Sequence, residues 1–357
     1  MKGRVLVAGF TTRHVAQSAA LAGYEVCAVD HFCDQDLSWY TRDRIHFEDL
    51  ADLPDAIARM GERYSFDFAI ATSGAESLSF PVPLCGTPRE RVERFLDKRE
   101  MQHFFEDLSI PVPRVAAEGK YPVMAKPIRG AGGWRNAVLM DAASEKEWAS
   151  LYPDVPYIRQ EVAEGIPASV CCVANGTVAR AIAVNEQVLR GEGESAFGFS
   201  GSITPFLHPA SGEMIALAEK IAAASGCTGT LGIDFVIGRD TPRVIEVNPR
   251  FQGTLDTVEA AYGCSLFRFH VNACAGTLPV APPVQQFAAR RILFADRDIT
   301  LDTDLKVLAP SVSDIPWPGT FFEDGQAITS VSGTGPTRDA ALDALDKNIS
   351  TVRQYMR

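Results

Sequence analysis

The chain has 357 residues, a formal net charge of −11, 46% hydrophobic residues and 22% charged residues. This composition is typical of a globular protein with two or three domains, and it excludes a fibrous or intrinsically disordered protein. The acidic balance argues against nucleic-acid binding through the overall charge, and no apolar run approaches the ~20 residues of a membrane helix.

The first 90 residues predict an α/β domain with a parallel sheet. The opening segment RVLVAGF predicts a strand rather than a signal peptide, so we expect a cytoplasmic protein. A helix through Leu21 and a second strand, YEVCAVD, follow it, and FDFAIAT predicts another strand after a helix around residues 54–64. Such an order of elements predicts a parallel sheet that binds ligands at the carboxyl ends of its strands.

Polar residues follow two of these strands. Arg13 and His14 could meet an anionic substrate there, although we favour the alternative that they are ordinary surface residues. Ser73 and Glu76 could touch substrate, and a helix cap explains them equally well. The segment VAGFTTRH lacks the second and third glycines of the motif G-x-G-x-x-G, so this loop is not predicted to bind a nucleotide. Prolines and glycines between residues 81 and 88 predict the linker that ends this domain.

The cysteines and histidines do not have metal-binding spacing. Eight cysteines lie at positions 27, 33, 85, 171, 172, 227, 264 and 274, and no C-x-x-C pair occurs. This pattern favours free thiols in a reducing compartment over disulfides or a zinc site. Neither His14 nor His208, the histidines nearest to polar, glycine-bearing segments, is assigned a metal role.

Residues 88–133 carry two lysines and a glycine loop. The segment PRERVERFLDKREMQHFFEDL predicts a single amphipathic helix with Lys98 near its middle, where a lysine is normally solvated. In YPVMAKPIRGAGG a short strand precedes Lys126, and a flexible loop of Gly130, Ala131, Gly132 and Gly133 follows. Backbone N–H groups of such a loop can approach phosphate oxygens while a lysine supplies positive charge, although glycine turns are common and no Walker A motif occurs.

The next segment predicts three strands. Residues 157–162 form the first, with Gln160 and Glu161 near its end and Glu164 just beyond it. Two further strands on either side of Asn175-Gly176 predict a hairpin with a type I′ turn. The glycine-rich run at residues 191–202 is polar, so we expect a mobile loop over the site. A helix at residues 213–224 follows that loop.

Residues 231–250, LGIDFVIGRDTPRVIEVNPR, predict two strands joined by a turn at residues 238–242. Alternation of side chains places the acidic and amide groups on one face, namely Asp234, Glu246 and Asn248. The opposite face receives Ile233, Phe235, Ile237, Ile245 and Val247. Two carboxylates and an amide oxygen suit a hard cation such as Mg²⁺, and a solvated sheet face explains them about as well. Arg250 follows with a fork that matches phosphate or carboxylate oxygens.

The order of these motifs resembles that of the ATP-grasp superfamily, and the similarity covers nearly the whole chain. The motifs are Asp97-Lys98, the Lys126 strand, the glycine loop, Gln160-Glu161 with Glu164, the Asp234 strand and the segment from Glu246 through Asn248 to Arg250. Residues 290–295 and 328–341 are similar to a short carboxylase-type C-terminal region. The chain resembles predicted carboligases of archaeal type that are distantly related to biotin carboxylase, although it has no biotin-attachment site.

The resemblance implies a mixed α/β and α+β architecture, the ATP-grasp fold. An N-terminal parallel-sheet domain would cover residues 1–90, and the ATP-binding domain would have a small subdomain at 91–156 and a large one at 157–280. Residues 281–357, with strands near ARRILFA and AITSVSG and a final helix, would form a small C-terminal α+β region.

The resemblance also implies a role for each site residue. Lys98 and Lys126 would contact the ATP phosphates, and the loop with Gly130, Gly132 and Gly133 would close over them. Gln160, Glu161 and Val162 would lie at the adenine, held through backbone groups of the last two, and Glu164 would bind the ribose. Glu246, Asp234 and Asn248 would hold two Mg²⁺ ions, with Mn²⁺ as an alternative, and Arg250 would stabilise charge on the transferred phosphate.

The function implied is an ATP-dependent carboxylate–amine ligase, in which small-molecule carboxylate and amine substrates are joined with release of ADP and phosphate. The alternatives are a ligase of carboxylase or purine-pathway type that uses bicarbonate or formate, and a non-catalytic ATP sensor on the same scaffold. Neither nucleic acid nor a membrane is expected as a partner, and a homodimer is the default expectation for a soluble enzyme.

Overall fold

A computed structural model describes residues 2–130, 132–191, 196–239 and 241–356. Ala131 of the predicted glycine loop, residues 192–195 of the predicted mobile loop and Asp240 of the predicted turn lie outside these ranges. The strands are β1 (Arg4–Ala8), β2 (Glu25–Asp30), β3 (Asp43–His46), β4 (Phe68–Ala71), β5 (Val123–Pro127), β6 (Ala137–Leu139), β7 (Tyr157–Glu161), β8 (Ile166–Asn175), β9 (Ala179–Leu189), β10 (Phe199–Thr204), β11 (Thr228–Gly238), β12 (Thr241–Asn248), β13 (Phe287–Phe294), β14 (Ile299–Leu301), β15 (Val312–Ser313), β16 (Thr320–Phe322) and β17 (Ala327–Gly335).

The helices are α1 (Arg13–Leu21), α2 (Leu37–Tyr40), α3 (Leu53–Arg63), α4 (Arg89–Leu96), α5 (Lys98–Asp107), α6 (Ala142–Leu151), α7 (Ser211–Ser225), α8 (Leu255–Tyr262), α9 (Leu266–Cys274) and α10 (Arg338–Tyr355). None of the helices in the described ranges is long and apolar enough to cross a membrane.

The N-terminal region forms the predicted parallel sheet. Its strand order is β3-β2-β1-β4, and β1 pairs in parallel with both β2 and β4. Each strand is a short run of apolar residues because helices or other parts of the chain cover both faces of the sheet. One face packs on α3 through Leu6 and Leu53, and the other packs on α1 through Val7 and Val15, in a cluster that also includes Phe267 of α9. The carboxyl ends of β1 and β4 therefore point toward the remainder of the chain.

A three-stranded antiparallel sheet, with the order β6-β5-β7, holds Lys126 on its central strand. The single helix predicted over residues 88–108 is wrong, because α4 and α5 are separate. Asp97 lies between them in an extended conformation, and its carboxylate accepts the N–H groups of Arg99 and Glu100. This is the geometry of an N-cap, which interrupts one helix and starts the next. Lys98 is thus the first residue of α5 rather than the middle of a helix.

An eight-stranded sheet forms the centre of the molecule, with the order β12-β11-β8-β9-β10-β13-β17-β15. The C-terminal strands β13, β15 and β17 belong to this same sheet, so the proposed boundary near residue 281 divides strands that are hydrogen-bonded to one another. α5 and α7 cover one face through Phe105, Met214 and Ile221. α10 covers the C-terminal part of the sheet through Leu345 and Val352.

Two details of this sheet differ from the predictions. The expected mobile loop at 191–202 is a strand in its second half, because β10 pairs with both β9 and β13, and its Ser202 is fully buried. Serine and glycine favoured a loop locally, and the pairing on both sides overrides that preference. The turn after Asn175 has positive φ only at Gly176 of its two central residues, which is the pattern of a type II′ turn rather than type I′.

Candidate active site

A cavity of about 430 Å³ lies between the three-stranded sheet and the eight-stranded sheet. It brings together residues from five separate segments of the chain. Of the residues that the sequence predicted for the site, the following line it: Lys98, Lys126, Gly130, Gly133, Glu161, Val162, Glu164, Asp234 and Glu246. Gly132, Gln160, Asn248 and Arg250 do not line it.

The two lysines line this cavity and have different surroundings. Lys98 is half-buried, and its Nζ donates to the carbonyl oxygen of Gly130 at 2.9 Å, so α5 and the glycine loop are in direct contact. Lys126 is buried, and burial lowers the pKa of its ammonium to about 8, with the nearby Lys98 adding to the shift and Glu246 opposing it. A buried ammonium without a close anionic partner is the arrangement expected where an anionic ligand completes the site.

Apolar side chains supply another part of the wall, as a planar base requires. They are those of Met124, Leu189, Val236 and Ile245. The backbone N–H of Val162 makes no hydrogen bond with any described residue, and it is therefore available to a ligand. Glu161 and Glu164 are exposed at the rim.

The side chain of Gln160 points away from the cavity. It donates to the side-chain oxygen of Gln102 at 2.7 Å and is buried. Its predicted part in nucleotide binding therefore does not extend to its side chain in this structure.

The acidic residues of the hairpin lie together as predicted, whereas one apolar residue does not lie on its predicted face. Asp234 and Glu246 are directly paired across β11 and β12, and Asn248 donates to Asp234 at 2.8 Å. A β-bulge follows Asp234, so that Phe235 pairs with Val244 and Ile245 is the extra residue. Ile245 therefore lies in the cavity beside Glu246, and its predicted position on the opposite face is wrong.

The carboxylate of Asp234 is held by three side-chain amides. Gln187 and Gln252 donate to one of its oxygens at 2.9 and 3.1 Å, and Asn248 donates to the other. Burial raises the pKa of Asp234 to about 7, and the neighbouring Glu246 carboxylate adds to this shift. The Glu246 side chain itself has no hydrogen bond or ion pair within the described ranges.

These residues fit a divalent cation. Two adjacent carboxylates, one of them without a partner, repel each other unless a cation or a proton lies between them. Oxygen ligands of this kind are those that Mg²⁺ prefers. Burial and the repulsion between these two carboxylates together raise the pKa of Asp234.

Gln187 and Gln252 were not predicted from the sequence. A signal for Gln252 exists in Gly232, because a Cβ atom at that glycine would lie only 1.6 Å from the Cδ of Gln252. A glycine inside a strand often marks such a close approach of another group. For Gln187, which lies on β9 at the cavity wall, no local signal distinguishes it from other polar strand residues.

Arg250 lies outside the cavity and joins it to the N-terminal region. Its Nε donates to Glu76 at 2.6 Å, and its two terminal nitrogens donate to the Phe251 carbonyl and, at 3.3 Å, to the side chain of Asn248. Glu76 also accepts the N–H of Gly74. Glu76 thus forms an ion pair with Arg250 and caps no helix, since the first helix after β4 in the described ranges begins at Arg89, and its contact with substrate stays a prediction.

Arg13 and His14 are buried, so the surface positions that we favoured for them are wrong. Arg13 forms ion pairs with Asp256 at 2.6 Å, with Asp314 at 2.8 Å and with Asp36 at 3.6 Å. The imidazole of His14 is 8% exposed, and burial lowers its pKa to about 4. The partners of Arg13 come from distant parts of the chain, which is why no local pattern predicted this burial.

Cys85, His270 and Cys274 form a second cluster, in which the sulfur and ring nitrogen atoms lie within 4.8 Å of one another. The Nδ1 atom of His270 accepts the N–H of Thr230 at 2.8 Å, so its Nε2 carries the proton and donates to the carbonyl of Cys85 at 2.9 Å. Both ring nitrogens are therefore engaged, and the cluster offers two thiols rather than three metal ligands.

Comparison with known proteins agrees with this geometry. Residues 95–254 match the family model of the ATP-grasp domain. The carbamoyl phosphate synthase large chain of Myxococcus xanthus is 25% identical over 74% of this chain. This chain spans 27% of the length of that relative and 36% and 33% of two further large chains that it matches.

Solved structures show the same fold. The biotin carboxylase domain of 2-oxoglutarate carboxylase from Hydrogenobacter thermophilus, a dimer in complex with ADP, magnesium and bicarbonate, superposes with a TM-score of 0.79 at 14% identity, covering 98% of this chain and 89% of that one. The phosphoribosylamine–glycine ligase of Thermotoga maritima superposes with a TM-score of 0.74 at 15% identity, covering 97% and 96%. The cavity lies between the three-stranded and the eight-stranded sheet, and all the residues that line it belong to the segment that matches the ATP-grasp domain.

Proposed function

We propose that this protein is an ATP-dependent ligase that activates a carboxylate as an acyl phosphate and couples it to an amine, with release of ADP and phosphate. The observation that carries the proposal is the first cavity, where two lysines face the paired carboxylates of Asp234 and Glu246. Positive side chains opposite a cation-binding pair are what a nucleoside triphosphate with its metal requires.

The nucleotide would lie along the cavity. Lys98, Lys126 and the loop of Gly130 and Gly133 would bind the phosphates, because the two ammonium groups attract them. The N–H group of Val162 would hold the adenine between the apolar walls, and Glu164 at the rim would bind the ribose hydroxyls. The buried ammonium of Lys126 supports this placement, since it makes no ion pair with any residue in the described ranges.

Mg²⁺ would be held by Glu246 and Asp234, with Asn248 beside them, and when bound it would neutralise charge on the phosphates. The three amides around Asp234 fix the position of this carboxylate. Arg250 is proposed to stabilise the transferred phosphate, and in the present arrangement it is held by Glu76 and Asn248.

The chemistry follows from the poor electrophilicity of a carboxylate, whose leaving group would be oxide. Phosphorylation gives a good leaving group, and the amine then displaces phosphate at the acyl carbon. Phosphoryl transfer depends on positioning and on neutralised charge, which the lysines and the cation site supply. Exclusion of water by the glycine loop would protect the intermediate from hydrolysis.

A panel assay tests this proposal. ADP release is measured with ATP and Mg²⁺ across carboxylates, each with and without amines, and with bicarbonate as a separate arm. We expect release that depends on one carboxylate and one amine. Release that depends on bicarbonate alone would favour the carboxylase alternative, and nucleotide binding without any turnover would favour the sensor.

Two variants and a control sharpen the assay. Glu246→Gln and Lys126→Ala are expected to lose more than 100-fold of the turnover while they remain folded, because each removes charge at the phosphates. Glu118→Gln, a change of the same type at an exposed loop residue outside the cavity, is expected to keep it. If Glu246→Gln retained the turnover of the control, the proposed metal role of this residue would be wrong.

A further inference from the structure

A second cavity, of about 470 Å³, adjoins the first. Gly132 and Gly198 line the second cavity, whereas their neighbours Gly133 and Phe197 line the first. The glycine loop and the segment before β10 therefore form a wall common to both. A molecule in the second cavity would lie next to the glycine loop, to which Lys98 of the first cavity donates a hydrogen bond.

The wall of the second cavity is rich in aromatic rings. They come from the loops after β1 and β2, from β10 and from the C-terminal strands and loops, and they are Phe10, Phe32, Phe199, Phe294, Trp317 and Phe322. Phe10 and Phe32 meet edge to face at 5.3 Å, and both are more than one-third exposed, as is Trp317. Exposed rings that converge on one cavity favour a ligand with an apolar, ring-sized body.

The positive groups of this cavity are held by other partners. Arg290 donates to Asp314 and Ser330, and its second terminal nitrogen donates to the Gly253 carbonyl at 3.0 Å. Arg190 donates to the Gly325 carbonyl at 2.7 Å, and its guanidinium lies 4.3 Å from the ring of Phe294. An anionic ligand would therefore have to displace contacts that are already made.

Asp34 lines the same cavity but, unlike the two arginines, is not held by other residues of the described ranges. Its carboxylate has no hydrogen bond and no ion pair to any residue in the described ranges. Three more carboxylates, those of Asp30, Asp36 and Asp314, are close enough to raise the pKa of Asp34, after burial as the larger cause. Four carboxyl groups thus lie close together here, and within the described ranges Asp34 is the one among them without a partner, so a cationic group can pair with it.

His14 provides an independent indication of a ligand. Its ring lines the cavity, is 8% exposed, and has no hydrogen bond with any described residue. A neutral imidazole has one donor and one acceptor, and leaving both unused in a buried position is unfavourable. The side chain thus offers a hydrogen-bond partner to whatever occupies the cavity.

We propose that the second cavity binds the amine substrate, that this substrate carries an aromatic body, and that Asp34 pairs with its ammonium group. The inference rests on the proposed function for the role of the amine. The aromatic wall binds the body, and cation–π attraction from the exposed rings adds to the ion pair. The common wall then places the amine beside the phosphates of the first cavity.

Calorimetry on the full chain, without ATP, tests the binding. The probes are 2-phenylethylamine, 2-phenylethanol, ethylamine and 3-phenylpropanoate, which separate the charge from the ring. We expect 2-phenylethylamine to bind at least tenfold more tightly than each of the others. Binding of 3-phenylpropanoate with equal or higher affinity would overturn the proposal.

Asp34→Asn supplies the decisive variant. It should remain folded, since Asp34 has no partner to lose within the described ranges, and it should weaken binding of 2-phenylethylamine about tenfold without changing that of 2-phenylethanol. Asp343→Asn, an exposed aspartate on α10 that does not line the cavity, is the matched control. Wild-type affinity for the amine in Asp34→Asn would overturn the assigned ion pair.

These measurements also separate the two proposals. Tight binding of 2-phenylethylamine without any ADP release in the panel assay would contradict the ligase function and support the cavity assignment. Ligase turnover with small aliphatic amines, and no binding of the aromatic amine, would support the function and overturn the assignment.

Discussion

At the residue scale, Lys126 is the site residue whose buried charge most clearly lowers the stability of the folded protein. Its ammonium is buried and makes no ion pair with any described residue, and its pKa is lowered from 10.5 to about 8. A depressed pKa in the folded state means that the folded protein is penalised whenever the lysine is charged. The penalty is full below pH 8 and disappears as the pH rises to the unfolded value.

Lys126→Met is therefore expected to stabilise the ligand-free protein while it abolishes ATP turnover. The gain in free energy of unfolding should be about 2–3 kcal/mol at pH 7, from the size of the pKa shift, and it should shrink between pH 8 and pH 10.5. Chemical denaturation across that pH range measures it. A variant less stable than the wild type at pH 7 would show that the ammonium is paired in solution.

A substitution at Gly232 tests how the proposed metal-binding residues are held in position. Gly232→Ala places a Cβ atom against the buried amide of Gln252, which donates to Asp234. We expect a loss of about 1–3 kcal/mol in the free energy of unfolding and weaker binding of the ADP–Mg²⁺ complex. Gly212→Ala is the control, because nothing lies within 4 Å of its Cβ position. Equal behaviour of the two variants would contradict the close packing at Gly232.

At the element scale, the break between α4 and α5 sets the position of Lys98. Asp97 caps α5, and the N–H of Lys98 donates to the carbonyl of Ile128 at 3.0 Å. The cap thus ties the start of α5 to the strand and loop that carry Lys126 and Gly130.

Asp97→Ala should cost about 1 kcal/mol of stability through loss of the cap. It should also raise the KM for ATP several-fold, because the side chain of Lys98 would be less well positioned at the phosphates. Asp97→Asn retains a capping oxygen and serves as the control. An unchanged KM in Asp97→Ala, with the expected loss of stability, would show that Lys98 does not depend on this cap.

Sequence patterns predicted the elements that are determined by residues close together in the chain. The hairpin of β11 and β12, the helix predicted at residues 213–224 and the parallel N-terminal sheet follow from alternation, turn residues and apolar runs. The bulge that turns Ile245 into the cavity was not predictable, because it depends on how two strands pair. Likewise β10 is a strand because β9 and β13 flank it, and its own composition favours a loop.

At the scale of the whole molecule, Arg13 connects three regions. It lies on the first helix, and its hydrogen-bond partners Asp256 and Asp314 are 243 and 301 residues away in the sequence. Although burial opposes ionisation, Arg13 and Arg290 together lower the pKa of Asp314. Local sequence patterns do not predict contacts between residues that are so far apart in the chain. The cluster around Arg13 and the second cavity next to it were therefore found only in the structure.

Arg13→Leu should destabilise the protein by about 3–5 kcal/mol, because it leaves buried carboxylates without their guanidinium partner. Thermal and chemical denaturation measure the loss. Arg63→Leu removes an exposed arginine whose ion pair with Asp43 is 3.2 Å long, and it should cost at most about 1 kcal/mol. Similar losses in both variants would mean that the buried cluster does not hold the regions together.

The central claim is that the protein transfers phosphate from ATP to a carboxylate. The carboxylate identified in the panel assay is labelled with ¹⁸O in both oxygens and incubated with ATP, Mg²⁺ and the amine, and the released phosphate is analysed by mass spectrometry. An acyl phosphate predicts one ¹⁸O atom in each phosphate that accompanies amide formation. Phosphate without label would contradict the account, because the oxygen would then have come from water.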